Sequence, residues 1–302
     1  MYHFADMLME RVRNRGPIIV GIDPNFELMP DAFLPSSAGI DEVYTSLVSF
    51  SRSITDAVSD QVAAVKFQSA HFERFGSTGV EAMASAIRYA KERDLIVILD
   101  AKRGDIDATS WAYACGYLAG STAIGSVGIF KSDLEVDAMT VNPFLGKDAI
   151  NPFIETATKH HKGIFILVKT SNPGSSWLQE LNDDGETVSE SLASIVHAAG
   201  MDSVGECGYS CIGAVVGSTF PDHVARMRKI MPKSIFLVPG IGAQGGTIEA
   251  AATCLDRSGA GAVISISRSV IYPTVEELTG RNYMAVVRAK VQQFKDRLAV
   301  VR

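Results

Sequence analysis

The sequence predicts an α/β fold of the (β/α)8 TIM barrel class, built as a single domain over residues 1–302. Three observations carry this. Eight short, β-rich apolar runs recur along the chain. Each is near-continuously apolar rather than alternating, as strands covered on both faces must be. Helix-like segments separate them, and no Pro/Gly/Ser linker divides the chain into halves. A doubly wound open sheet is the alternative for the same pattern.

The runs are IIVGID (18–23), VAAVKFQ (62–68), LIVILDAK (95–102), AMTVNP (138–143), GIFILVKTS (163–171), IGAVVGST (212–219), SIFLVPGIG (234–242) and GAVISISRS (261–269). A short N-terminal helix is expected at about 2–14, where Phe4, Leu8 and Val12 share a face. Further helices are expected at 41–59, 79–93, 148–159 and 246–257. The final helix is expected to start at a capping box, Thr274 with Glu277, just after Pro273. Tyr283, Val287, Val291, Phe294 and Leu298 would then keep one face apolar. The polar, turn-rich stretch after the fifth run reads as a lid or insertion, about 171–210. In a barrel it falls on the C-terminal face, where ligands bind.

Composition bounds the function. Hydrophobic residues make up 47% of the chain, enough for a full core. A net charge of -6 gives no electrostatic reason to expect nucleic acid. No apolar run approaches the roughly 18 residues of a membrane span. Asp6 and Glu10 interrupt the N-terminus where a signal peptide would be apolar. The expectation is a cytoplasmic protein with neither membrane nor nucleic-acid partners. Of the four cysteines, only Cys207 and Cys211 are close, and Cys-x3-Cys without a second pair is a poor zinc signal. Inert thiols are the better reading, and no metal site is expected. His160 and His161 fall late in a helix, where cations suit the dipole.

The third run ends in a knot of charge, DAKRGDID. Residues two apart on a strand share a side, so Asp100 and Lys102 should point together at the C-terminal end of the third strand. Asp105 follows in the loop. Lys66 ends the second strand in the same way, and Asp23 ends the first. Four charged groups from three successive strand ends should therefore converge at the mouth of the barrel. A salt-bridge cluster fastening loops would be the bland explanation. Clustering ions is expensive enough that a functional one is better. Arg103 and Asp107 have the opposite parity or loop positions and read as structural.

At the other end of the chain, PGIGAQGG (239–246) follows the seventh strand. Gly240, Gly242 and Gly245 match G-x-G-x-x-G, but no acidic residue ends the next strand, as a dinucleotide site requires. A loop whose backbone N–H groups hold one phosphate fits better. Arg268 ends the eighth strand, where a guanidinium can pair with that phosphate. A tight turn beside a surface Arg is the simpler competitor.

Together these motifs resemble the orotidine 5'-phosphate decarboxylase family, in its longer bacterial-type branch. The resemblance runs from GIDPN to ISISRSVIY, and its most specific parts are Asp-x-Lys-x-x-Asp in DAKRGDI and the pairing of PGIGAQGG with SRS. SNPG after the fifth strand matches the family's loop that meets the pyrimidine. The resemblance implies cofactor-independent decarboxylation of orotidine 5'-phosphate to UMP and CO2 in de novo pyrimidine biosynthesis. Lys102 would protonate C6, Asp100 would lie by the leaving carboxylate, and Lys66 would complete the array. Asp105, Ile106 and Thr109 would reach the partner's site across a homodimer with shared active sites. Asp23 would bind the ribose hydroxyls, Ser171 the pyrimidine amide, and Gln244 and Arg268 the phosphate. Residues 171–210 are longer than the lid of shorter members, and Arg103-Gly104 occupies the gap between Lys102 and Asp105.

Three rivals remain. A sister enzyme acting on a sugar phosphate through Mg2+ shares Asp-x-Lys-x-x-Asp but adds an acidic ligand at the end of the second strand. Here that strand ends in Lys66 and Gln68. A Schiff-base aldolase would use Lys102 or Lys169, yet needs a lysine of depressed pKa, whereas flanking aspartates keep Lys102 protonated. A non-catalytic sensor of a phosphate ligand is opposed only by the intact charged array.

Overall fold

The computed structural model describes residues 3–218, 221–241 and 246–301. All eight apolar runs form strands: β1 (Ile18–Ile22), β2 (Ala64–Gln68), β3 (Ile96–Arg103), β4 (Ala138–Val141), β5 (Gly163–Lys169), β6 (Ser210–Val216), β7 (Ser234–Val238) and β8 (Ala262–Ile266). They pair in parallel, in chain order, and β1 pairs with β8 to close the barrel. The open-sheet alternative is thereby excluded. Nearly every strand residue is buried, because side chains of one parity fill the barrel and those of the other meet the helices.

The N-terminal helix, Phe4–Arg15, covers the bottom of the barrel. Phe4 packs edge-on against Phe165, with ring centroids 6.1 Å apart. A Cβ at Gly163 would lie 2.2 Å from the Phe4 ring, so β5 must begin with glycine for this helix to dock. The Asp6 carboxylate accepts the Cys207 N–H at 2.7 Å and pins the helix to the segment before β6.

Four elements differ from expectation for identifiable reasons. The Thr274–Glu277 capping box is present, but it starts a one-turn helix, Val275–Leu278. Gly280, at φ 68°, ends that piece, and Asn282 caps the long final helix, Tyr283–Val300. The helix expected over 246–257 covers only Ile248–Ala252. Asp256 then uses one carboxylate oxygen to accept the N–H groups of Ser258 and Ala260, which favours a turn over a further helical turn. Within 171–210, residues 188–200 form a helix on the barrel wall rather than part of a lid. Thr187 and Glu190 cap it reciprocally, a signature visible in the sequence. Finally, an exposed hairpin, Ser121–Ile124 with Gly128–Lys131, follows the helix after β3. It has no counterpart in the expected pattern.

Among the described residues, no helix is long and apolar enough to cross a membrane. Burial pushes the Cys207 thiol up to about 11 and Cys254 up to about 12, so both stay protonated near neutral pH. His160 is held below its ordinary value, chiefly by desolvation and then by Lys159 and Lys162.

Candidate active site

A pocket of about 230 Å³ opens at the C-terminal end of the barrel. Asp23, Lys66, Gln68, Asp100 and Lys102 line one side, and Thr170, Ser171, Asn172, Pro239, Gly240 and Arg268 line others. Strand ends bring the first group together. β1, β2 and β3 are in register, so Lys66 sits beside Gly21 and Gln68 beside Asp100.

Asp100 is the centre of the charged array and only 7% exposed. One carboxylate oxygen accepts from Lys66 Nζ at 3.0 Å and from Gln68 Nε2 at 3.1 Å. The other accepts from Lys102 Nζ at 2.6 Å and from the Thr140 hydroxyl at 2.9 Å. Desolvation opposes its ionisation, but Lys66 and Lys102 outweigh it and hold the carboxyl well below the usual carboxylate range. Burial likewise works against the Lys66 ammonium. The nearby Asp100 and Asp23 prevail and raise its pKa. Two ammonium groups and two carboxylates thus compensate one another before any ligand arrives.

Convergence of Asp100 and Lys102 does not come from simple strand alternation. Lys102 has φ 47°, and the β3–β4 register shifts between Leu99 and Arg103. A non-glycine residue in this left-handed region costs about 1–3 kcal/mol and persists only where its surroundings impose it. Here the Thr140 hydroxyl accepts the Lys102 N–H at 2.8 Å while donating to Asp100. Thr140 was not among the expected site residues. Its signal was slight: one hydroxyl within an otherwise apolar strand. Gln68 was noted only as a non-acidic strand end, yet it too holds Asp100.

Asp23 Oδ1 is buried, accepts no hydrogen bond among the described residues, and lies 4.0 Å from Lys66 Nζ. A buried acceptor without a donor is costly, so it is suited to a ligand hydroxyl. The loop carrying Asp23 is tied across the pocket by Tyr272. Its hydroxyl donates to the Asp23 carbonyl at 2.6 Å and accepts the Asn25 N–H at 2.7 Å. Tyr272 belongs to the same segment as Arg268, so the first and last strand ends are fastened together.

Arg268 lines the pocket and makes no ion pair with another described residue. Ser171 also lines it. Gln244 lies outside the described residues, as do Gly242 and Gly245 of the glycine-rich loop. Asp105, Ile106 and Thr109 do not line their own chain's pocket. Asp105 accepts the Ile106 N–H at 2.8 Å, and Ile106 is 51% exposed. Arg103 turns to Glu73 and to the Ala101 carbonyl, as befits a structural residue. Lys169 is buried at the end of β5 with its ammonium on Glu180, outside the pocket lining. It is not available there as an aldolase nucleophile. Among the described residues, no group of three or more His, Cys, Asp or Glu side chains is placed to hold a metal ion.

A profile of the orotidine 5'-phosphate decarboxylase / HUMPS family matches residues 19–272. The chain belongs to this family. It is 40% identical to an orotidine 5'-phosphate decarboxylase of Caldicellulosiruptor bescii, over 90% of each chain. It is 39% identical to one of Rhodopirellula baltica, over 99% of each. The structure of Leishmania donovani OMP decarboxylase superposes with a TM-score of 0.72 at 28% identity, covering 99% of this chain and 98% of that one. Membership in the orotidine 5'-phosphate decarboxylase / HUMPS family agrees with the (β/α)8 barrel described above.

Proposed function

We propose that this chain decarboxylates orotidine 5'-phosphate to UMP and CO2, a lyase reaction of pyrimidine biosynthesis, in the cytoplasm. The observation that carries the reading is the buried Lys66–Asp100–Lys102 array at the strand ends. Loss of CO2 leaves an electron pair on C6 of the pyrimidine. The Lys102 ammonium stabilises that charge and gives C6 a proton, completing UMP. Its side chain is 44% exposed in the open pocket, so solvent can restore the proton. Asp100 aims Lys102 through a 2.6 Å hydrogen bond and would lie where the leaving carboxylate departs.

One charge contact of this kind is worth roughly 4 kcal/mol at 4 Å and an effective dielectric of 20. Enzymes commonly lower barriers by about 8–23 kcal/mol. Grip on the distant phosphate must therefore contribute, through Arg268 and the glycine-rich loop with Gln244. Asp23 would hold the ribose, and Ser171 the pyrimidine. The carboxylates of the array are matched by lysines, so no divalent cation or organic cofactor is required for this chemistry. Incubation of purified protein with orotidine 5'-phosphate, followed by ultraviolet absorbance, tests the reading. Turnover that survives exhaustive chelation supports it. Activity lost on chelation and restored by Mg2+ supports the sugar-phosphate rival.

The proposed assembly is a homodimer with shared sites. Ile106, Trp111, Phe144 and Leu145 are each at least 44% exposed around Asp105, an apolar surface suited to a second copy. Lys102→Ala and Asp105→Ala proteins should each be nearly inactive. Unfolded and refolded together, random mixing makes about half of the dimers mixed, each with one intact site, so roughly a quarter of wild-type sites should return. No recovery would mean that Asp105 serves its own chain.

A further inference from the structure

The β5 end carries an ion pair between a buried lysine and an exposed glutamate that the proposed chemistry does not use. Lys169 is 1% exposed, and its ammonium donates to Glu180 Oε1 at 2.7 Å and to the Ser175 hydroxyl at 3.4 Å. Glu180 follows a short helix, Ser176–Gln179, that folds back over the strand end. His223, at the start of the helix after β6, lies 3.8 Å from the same carboxylate oxygen. Glu180 thus faces cationic or titratable groups from two barrel units.

The adjacent backbone is held by the same fold-back. Gln179 accepts the Thr170 N–H at 2.9 Å and donates to the Thr170 hydroxyl at 2.9 Å. That hydroxyl donates in turn to Asn172. From below, Gly217 donates its N–H to the Lys169 carbonyl at 2.7 Å. A Cβ on Gly217 would meet the Ser171 backbone at 2.9 Å, so only glycine permits this approach. Thr170, Ser171 and Asn172 are the residues of this segment that line the pocket.

We infer that Lys169 and Glu180 are positioning residues: the buried Lys169 ammonium, paired with the surface carboxylate of Glu180, latches segment 173–181 onto the barrel and thereby orders the Thr170–Asn172 wall against the base of the bound nucleotide. The physical case is that an ammonium at this depth must be paired, which makes the latched arrangement strongly preferred over an open one. A buried Lys–Ser contact without the carboxylate would leave that charge under-compensated. The inference rests on reading the pocket as the nucleotide site, and it assigns the pair to substrate binding rather than to proton transfer.

The test compares wild type, Glu180→Gln, and Lys169→Met/Glu180→Gln. The single variant strands a buried charge and is expected to melt lower. The double variant removes both charges and restores melting. In both, KM for orotidine 5'-phosphate should rise about tenfold, the scale of one charged hydrogen bond, while kcat stays within about threefold because the Lys102 array is untouched. Hydrogen exchange of the 170–181 amides should be faster in both variants. A double variant with wild-type melting and wild-type KM overturns the latch. So does kcat falling in step with KM. If wild type fails to turn over the substrate, the functional reading fails instead. The exchange measurement then still decides the latch by itself.

Discussion

On the β2–β3 side of the pocket every charge already has a partner, whereas the guanidinium of Arg268 on the β8 side has no ion pair among the described residues. Asp100 receives four hydrogen bonds from Lys66, Gln68, Lys102 and Thr140. Across the pocket, Arg268 has no ion pair among the described residues, and Asp23 Oδ1, between the two, has no donor. The first region is already paired, so on the proposed reading charge developing at C6 would meet dipoles that need not move. The second is built from groups whose partners the ligand supplies, so its energy is released on binding. On the proposed reading, the contrast separates residues that would set the rate from those that would set the affinity.

The most severe way to break the contrast is at Lys102. Lys102→Ala removes the proposed proton donor, and kcat should fall by about a hundred- to ten-thousand-fold, while UMP should still bind through the opposite wall. A kcat within tenfold of wild type would sink the proton-donor role. Arg268→Ala attacks the other side. A lost charged hydrogen bond costs about 1.5–3 kcal/mol, so kcat/KM for the nucleotide should drop by about ten- to a hundred-fold or more. Decarboxylation of the unphosphorylated nucleoside should be unchanged, and equal losses on both substrates would refute the phosphate assignment.

Thr140→Val sharpens the comparison more gently. It keeps shape but removes the hydroxyl that accepts from the Lys102 N–H and donates to Asp100. We expect kcat to fall by about fivefold, as for one buried hydrogen bond of about 1 kcal/mol. An unchanged kcat would show that the left-handed turn at Lys102 holds without it. The smallest effect concerns acid stability. Asp100 is depressed in the folded protein, while in the unfolded chain it titrates near the ordinary aspartate value of about 3.9. Below that value the unfolded state takes up a proton that the folded state refuses, so stability falls as pH falls. Denaturant titrations from pH 6 to 3 should show the gap between wild type and Asp100→Asn narrowing. A gap constant with pH would contradict the depressed carboxyl.

Legibility from sequence followed the same division. Local regularities were readable: eight apolar runs marked eight strands, because strands covered on both faces are apolar throughout. The charged strand ends were readable as well, because ions interrupting an apolar run are rare enough to be informative. Asp23, Lys66, Asp100, Lys102, Ser171 and Arg268 do meet in one pocket. Thr140, Gln68 and Tyr272 escaped because neutral hydroxyls and amides are common and carry no signal until their partners are known. The 188–200 helix was missed although its capping box stood in the sequence, since the surrounding polarity dominated the reading.

By itself, then, the amino-acid order determined strand count, the parallel α/β class and the residues that carry charge, all of which follow from hydrophobic burial and backbone periodicity over neighbouring residues; closure of the sheet needed the β1–β8 pairing. Only the tertiary structure decided how those charges pair. It bends β3 at Lys102, brings Thr140 across from the next strand, and commits Lys169 to Glu180 rather than to the pocket. Pairing depends on ångström distances between segments far apart in the chain, and desolvation makes each such distance decisive for whether an ion is held, neutralised or left for a ligand.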